Sequence, residues 1–367
     1  IANLITNYHI GGVILLAENN NFTSTDTVPN AREMIQTLQQ MEWDSSTGGI
    51  VDETLENEAF GAYVPLMIGL KQIGNGAPGD EILSGLTQLP SQMAIGATWD
   101  QTMAEQVGQV LGDELRSLGV NLLLGPNLDV LETTNIEAAS SLGVNTYGGD
   151  PFWVGEMGKS FISGVHVGSG NRMLVVAQNF PGTGNSDRSP EMEVATVRKS
   201  LEQLKQIELA PYFSVTVPPA GDPARVDGVM VSHIRYQGFQ GNIRATTRPI
   251  SFDSTAFSQI MSLPEFATWR ESGGLVISDN LGSNAVRRFF DPNETTFDAR
   301  QITRNAFLAG NDMLYIDDMV SSGDPDAYTT LLSILNFFIQ KYEEDSAFAK
   351  RVDTSVLRIL NAKMKLY

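Results

Sequence analysis

The sequence predicts an α/β fold: a (β/α)8 TIM-type barrel whose first strand is missing from the chain. Three observations carry this. Short apolar runs recur, bounded by Gly or Pro on one side and polar residues on the other, as expected of strands covered on both faces. Stretches with helical spacing separate most of them, which implies a parallel sheet with right-handed crossovers. The runs begin at Gly11, Pro65, Asn121, Met173, Gly228, Gly274 and Asp312. Seven strands, with one more before Ile1, make the eight of a closed barrel. An open doubly wound sheet is the alternative, but no Gly-rich fingerprint follows a first strand. There is no internal repeat, low-complexity tract or linker, so residues 1–367 read as a single domain.

In chain order, Ile1 to Tyr8 reads as the end of a helix. Gly11 to Leu16 is a strand, followed by an Asn-rich loop from Glu18 to Asn21. Ala31 to Met41 has helical spacing, with Met34, Leu38 and Met41 on one side. Glu42 to Tyr63 is polar and irregular, long for a connection, and reads as an insertion or mobile lid. Val64 to Gly69 is the next strand. Gln101 to Leu118 is a helix, with Gly119 as its C′ residue. Asn121 to Gly125 is a strand, and Pro126 to Val130 is its outgoing loop. A helix from Pro151 to Val167 leads to the strand Met173–Gln178 and the loop Asn179–Gly184.

Val194 to Leu209 reads as a helix, Gly228 to His233 as a strand, and Ser254 to Met261 as a short helix. Then comes Gly273-Gly274-Leu275-Val276-Ile277-Ser278-Asp279-Asn280-Leu281, a buried strand ending in polar residues. The C-terminal ends of barrel strands face the functional pocket. Asp279 is therefore a carboxylate on a rigid support at the lip of a pocket, or the cap of a helix beginning near Ser283. Gln301 to Ala309 is a helix, Asp312 to Tyr315 a strand, and two helices, Asp326–Glu344 and Ser346–Lys363, close the chain.

Apolar residues make up 42% of the chain, enough for a large core. The net charge of −19 argues against nucleic acid and anionic membrane surfaces as partners. Cysteine is absent, which removes disulfides and thiolate chemistry. With only His9, His166 and His233, no multi-histidine metal site is expected, and no cofactor is expected either. No apolar run reaches the length of a membrane span. Ile1-Ala2-Asn3-Leu4 lacks the basic start and apolar core of a signal peptide. It also lacks Met, and it reads as the interior of a longer natural chain with further domains.

Several segments carry a family resemblance. They include Gly11-Gly12-Val13-Ile14-Leu15, Pro65-Leu66-Met67-Ile68 and Leu89-Pro90-Ser91-Gln92-Met93-Ala94-Ile95-Gly96-Ala97-Thr98. Further along are Glu114 to Asn121, Gly125-Pro126-Asn127-Leu128-Asp129-Val130, Phe180-Pro181-Gly182-Thr183-Gly184, Val231-Ser232-His233 and Ile277-Ser278-Asp279. Together they resemble the N-terminal barrel of family 3 glycoside hydrolases, in particular the bacterial β-N-acetylhexosaminidase branch. The resemblance runs from Ile1 to about Lys363. It implies a carbohydrate or glycoconjugate substrate and a retaining mechanism in which Asp279 is the nucleophile.

The sequence departs from the family where sugar would bind. Lys71 stands at the family's Asp, Asn145 at its Arg, Gln178 and Asn179 at its Lys-His, and Thr183 at the His of Phe-Pro-Gly-His-Gly. The loop triplet Asp-Ser-His, whose His is the family's acid/base, falls on Ser189-Pro190-Glu191. Glu191 could supply the missing acid/base, with Asp187 as the alternative. Otherwise these residues form a solvated acidic segment at the start of the Val194 helix. Lys71, Asn145, Gln178, Asn179 and His233 are the candidate substrate-binding residues, although His233 also reads as a satisfied barrel-lip residue. Two expectations follow: a glycoside hydrolase of altered specificity, or a silent barrel serving as a carbohydrate-binding or structural module. A secreted or cell-envelope location is expected, with the cytoplasm as the alternative.

Overall fold

The computed structural model describes residues 1–22, 26–47, 63–132, 142–184 and 186–367. Among these residues eight strands lie in chain order: β1 Gly12–Ile14, β2 Met67–Leu70, β3 Leu122–Asn127, β4 Leu174–Phe180, β5 Thr196–Val197, β6 Gly228–Val231, β7 Arg235–Tyr236 and β8 Leu275–Ser278. The main sheet is parallel, with the order β1-β2-β3-β4-β6-β8. That order never reverses, so the sheet is not doubly wound; it curves as a β/α barrel, as the sequence predicts. The predicted seventh strand appears as a parallel bridge from Ile277 to Met313, extended where Leu281 N–H donates to the Tyr315 carbonyl at 3.0 Å. No strand precedes Gly12 among the described residues.

Successive strand side chains point to opposite faces, and here the two faces pack into different cores. Met67, Leu122, Leu124, Leu174, Val176, Met230, Leu275 and Ile277 fill the barrel interior. Ile68, Leu123, Val175, Val229 and Val276 face outward and pack with Ile35, Leu115, Phe161 and Trp269 of the surrounding helices. The C-terminal helix, Ser346–Met364, adds Ile359 and Ala362 to the interior cluster, and Leu366 follows it in. Lys363 Nζ donates to the Pro65 carbonyl at 2.7 Å, just before β2. Burial pushes the Lys363 ammonium down to about 8, against the pull of Glu42.

The same helix is tied to the base of the seventh strand by ionic contacts. The Asp312 carboxylate is fully buried and meets Arg270, Arg351 and Arg358, the last two from the C-terminal helix. Ser355 Oγ and Val276 N–H also donate to it, at 2.9 and 3.1 Å. Burial alone would raise the Asp312 pKa, but the hydrogen bond and charge of Arg270, then Arg358 and Arg351, bring it below the usual carboxylate range.

Local expectations needed correction in three places. The second helix runs Thr27–Thr47, so the start of the supposed irregular insertion is helical, and its remainder to residue 62 lies outside the described residues. Val194 to Leu209 is not one helix. It contains β5, paired in parallel with β7, then a helix Leu201–Gln206 capped by Ser200, and Leu209 leads into Ala210–Thr216. The Ser200–Gln203 capping box sets that helix start later than periodicity suggested. A helix Pro264–Glu271, with Pro at its first position, was not anticipated.

Candidate functional site at the barrel mouth

The polar ends of the strands set the site. Asp279 follows β8 directly. Its N–H donates to the Val231 carbonyl at 3.1 Å, and its Oδ1 accepts from Asn280 N–H at 2.7 Å. The helix Asn284–Phe290 that follows is capped by Ser283, which accepts from Val286 N–H at 3.4 Å. Asp279 is therefore not the cap of that helix.

His233 is buried two residues beyond β6. Its Nε2 faces the Asn280 carbonyl at 3.0 Å and its Nδ1 faces Ser251 Oγ at 2.8 Å. A carbonyl only accepts, so Nε2 carries the proton and Nδ1 accepts from the serine hydroxyl. Burial lowers the His233 pKa, with Asp279 pulling the other way, so the ring is neutral near pH 7. Both ring nitrogens are thereby engaged. His233 fixes the Asp279–Asn280 backbone, which fits the lip-residue reading given to it from sequence.

Lys71 follows β2 and lies beside Glu81. Glu81 is raised by burial first, with Ala17 N–H and Lys71 opposing the shift and Glu18 and Asp80 adding to it. Ala17 N–H donates to Glu81 Oε2 at 2.6 Å. Tyr315 is raised by burial first, and the charges of Asp317, Asp279, Glu18 and Glu81 add to the shift. Asp317 is itself raised by burial and by Asp318. Its N–H donates to Asn280 Oδ1 at 3.2 Å, tying it to the residue after Asp279. Sequence reading missed Glu81, Tyr315 and Asp317, because the 71–90 stretch has no periodicity and the seventh strand is short.

Gln178 is buried at the end of β4, with its carbonyl accepting from Tyr212 Oη at 2.6 Å. Asn179 has φ 65° and donates through Nδ2 to Asp129 Oδ2 at 2.6 Å. Thr183 gives Asp129 both its N–H and its hydroxyl, the latter at 2.9 Å. Two of the positions that depart from the family pattern thus converge on one buried carboxylate, which sequence reading had treated only as part of a loop. Burial raises Asp129, against Thr183 N–H and the side chains of Asn179, Thr183 and Asn127. Asn145 has its Oδ1 against Gly79, and the next residue, Thr146, donates its hydroxyl to the Asp129 carbonyl at 2.6 Å.

These bonds give a stability test. In Asp129→Asn, an amide N–H would face donors in place of an acceptor. We expect a loss of about 1–3 kcal/mol in chemical denaturation, the scale of an unpaired buried donor. Unchanged stability would show that the side chain turns away without penalty.

The loop after β4 is tied to its surroundings at both ends. A Cβ on Gly184 would lie 1.9 Å from the Val130 carbonyl oxygen, so only glycine allows this approach. Asp187 accepts from Thr196 N–H at 2.8 Å and pairs with Arg188 and Arg198. Glu191 is exposed on a turn before β5. It does not sit at a helix N-terminus, because the helix begins at Leu201. Beneath the loop, Lys199 Nζ lies 2.6 Å from both Glu132 and Glu208. Among the described residues there is no acidic or histidine cluster suited to a metal ion, and no helix is long and apolar enough to cross a membrane.

Comparison with known proteins places this architecture. The family model described as "Glycosyl hydrolase family 3 N terminal domain" matches residues 1–362. A β-hexosaminidase of Nitrosomonas eutropha is 26% identical over 267 residues, 70% of this chain and 68% of that protein. A β-xylosidase of Formosa agariphila is 27% identical over 371 residues, covering 96% of this chain but 44% of its own length. The solved family 3 β-N-acetylglucosaminidase of Paenibacillus sp. superposes with a TM-score of 0.76 at 24% identity, covering 100% of this chain and 58% of that one.

Proposed function

Since the chain belongs to glycosyl hydrolase family 3, with that family's N-terminal domain and a β-hexosaminidase-like sequence, we propose that it hydrolyses O-glycosyl bonds with retention and an altered sugar preference. Asp279 is the nucleophile in this reading. Its carboxylate attacks the anomeric carbon as the glycosidic C–O bond breaks, and a carboxylic acid protonates the leaving oxygen. The resulting carboxylate then takes a proton from water, which attacks the glycosyl ester and frees Asp279. The observation that carries the reading is the setting of Asp279: a residue at the end of a strand, its backbone bonded to Val231 and its carboxylate to Asn280 N–H, and not spent on a cap.

The proton donor needs a pKa above that of a surface acid. Burial raises Glu81, whose Oε2 accepts from Ala17 N–H, and Asp317, whose N–H donates to Asn280 Oδ1 beside Asp279. Glu191 is exposed and would have to close over the site, while Asp187 is engaged by arginines and Thr196. We therefore expect Glu81→Gln or Asp317→Asn to cut turnover by about a hundredfold or more, the scale of losing a general acid. Glu191→Gln is expected to change turnover less than about twofold, as exposed substitutions usually do. A loss confined to Glu191→Gln would move the role to the loop.

The reading is tested on nitrophenyl β-glycosides of N-acetylglucosamine, glucose and xylose. Release from one of them supports hydrolysis. No release from any favours the second reading, a silent carbohydrate-binding barrel. That reading draws on Asn179 and Thr183, which stand where the family has sugar-binding histidines and are bonded to Asp129.

A further inference from the structure

A cavity of about 770 Å³ has a lining dominated by arginine. Arg188, Arg198, Arg235, Arg244, Arg248 and Arg288 line it. That is six of the 24 Lys and Arg residues of a chain with net charge −19. They come from the loop after β4, the residue after β5, β7, the 241–248 segment and the helix Asn284–Phe290. A solvated helix face would not gather cations from so many separate segments.

The local carboxylates do not neutralise them. Glu193 pairs with Arg188 at 2.8 Å and approaches Arg288 at 3.9 Å, and Asp187 pairs with Arg188 and Arg198. Six guanidinium groups against these two acids leave an excess of four positive charges. Among the described residues, neither Arg244 nor Arg248 has an ion-pair partner. Arg235 donates to the Thr247 and Ala245 carbonyls at 2.7 and 2.9 Å and lies over the Phe289 ring at 5.3 Å. Its pKa is lowered by burial and then by the like charge of Arg188, with Asp187 opposing the shift.

We propose that this pocket binds an oxyanion carried on a saccharide, a sulfate or carboxylate group on a sugar whose neutral part reaches the mouth. Guanidinium forks match the geometry of such oxyanions. The volume exceeds what a bare ion needs and falls in the range of ligand sites. Its lining segments adjoin those of the mouth along the chain: Arg235 lies two residues beyond His233, and Ala285 and Phe289 belong to the helix that follows Asp279. The saccharide part of the inference rests on the glycoside hydrolase reading; the oxyanion part does not.

The test is calorimetric titration of the whole chain with N-acetylglucosamine 6-sulfate, glucuronic acid, N-acetylglucosamine and inorganic sulfate. An anionic sugar is expected to bind at least about tenfold more tightly than the neutral one, the scale of one well-placed ionic contact. The double variant Arg244→Ala/Arg248→Ala, both exposed positions, should remove that preference. The control Arg32→Ala/Arg172→Ala, which removes the same charge from exposed sites elsewhere, should keep it. Preference for one anionic sugar over the other identifies the oxyanion. Equal binding of charged and neutral sugars, or no effect of the double variant in a folded protein, overturns the proposal. Inorganic sulfate binding as tightly as the sulfated sugar overturns its saccharide part. Binding is read without turnover, so anionic-sugar binding with no hydrolysis of any glycoside would count against the hydrolase reading and leave the pocket standing.

Discussion

Asp279→Asn is expected to lower kcat/KM on any hydrolysed glycoside by at least about a thousandfold, or about 4 kcal/mol of transition-state stabilisation. The substitution is nearly isosteric, and its amide oxygen can still accept from Asn280 N–H as Oδ1 now does. The backbone bond to Val231 and the His233 contact to Asn280 do not involve the side chain. The melting temperature should therefore shift by no more than about 2 °C, as for a site that leaves packing unchanged. Loss of activity together with loss of folding would remove the inference. Retained hydrolysis with folding intact would exclude Asp279 as nucleophile.

Asp312→Ala carries the largest expected effect on stability, a loss of about 3–5 kcal/mol, the scale of breaking a buried ionic cluster from one side. It leaves Arg270, Arg351 and Arg358 facing one another without their shared carboxylate. It also releases Ser355 and Val276 N–H. The C-terminal helix would lose this ionic anchor to the barrel and keep its apolar contacts to the interior and the Lys363 bond to the Pro65 carbonyl. The pH dependence has a definite sign. The folded pKa of Asp312 is depressed, so its contribution is complete above the unfolded value of about 3.9 and is lost as pH falls through the lower folded value. Urea denaturation at pH 7, 5, 4 and 3 should show the wild type losing stability below about pH 4 more steeply than Asp312→Asn. Parallel acid curves, or a loss under about 1 kcal/mol in Asp312→Ala, would show that the cluster does not hold the helix.

The strand-by-strand order of this barrel was legible in the chain. Val229-Met230-Val231 and Leu275-Val276-Ile277 read as strands because both faces are covered, one by the interior and one by helices. Asp279 was legible for a related reason: a polar residue ending such a run can only stand at the sheet's edge. Val194 to Leu209 was not legible, because pairing of β5 with β7 is a contact between distant segments that overrides local periodicity.

Sequence by itself determined the architecture, the position of Asp279 and the set of positions that depart from the family pattern. Those follow from short-range apolar patterns and from local residue order. Tertiary structure alone decided what the polar groups do. It made Asp129 the shared partner of Asn179 and Thr183, engaged both nitrogens of His233, and spent Asp187 on arginines. It also gathered six arginines into one cavity. The physical reason is range. Apolar burial repeats with the period of the local backbone, whereas a charge or hydrogen bond takes its role from whichever remote partner folding brings within a few ångströms.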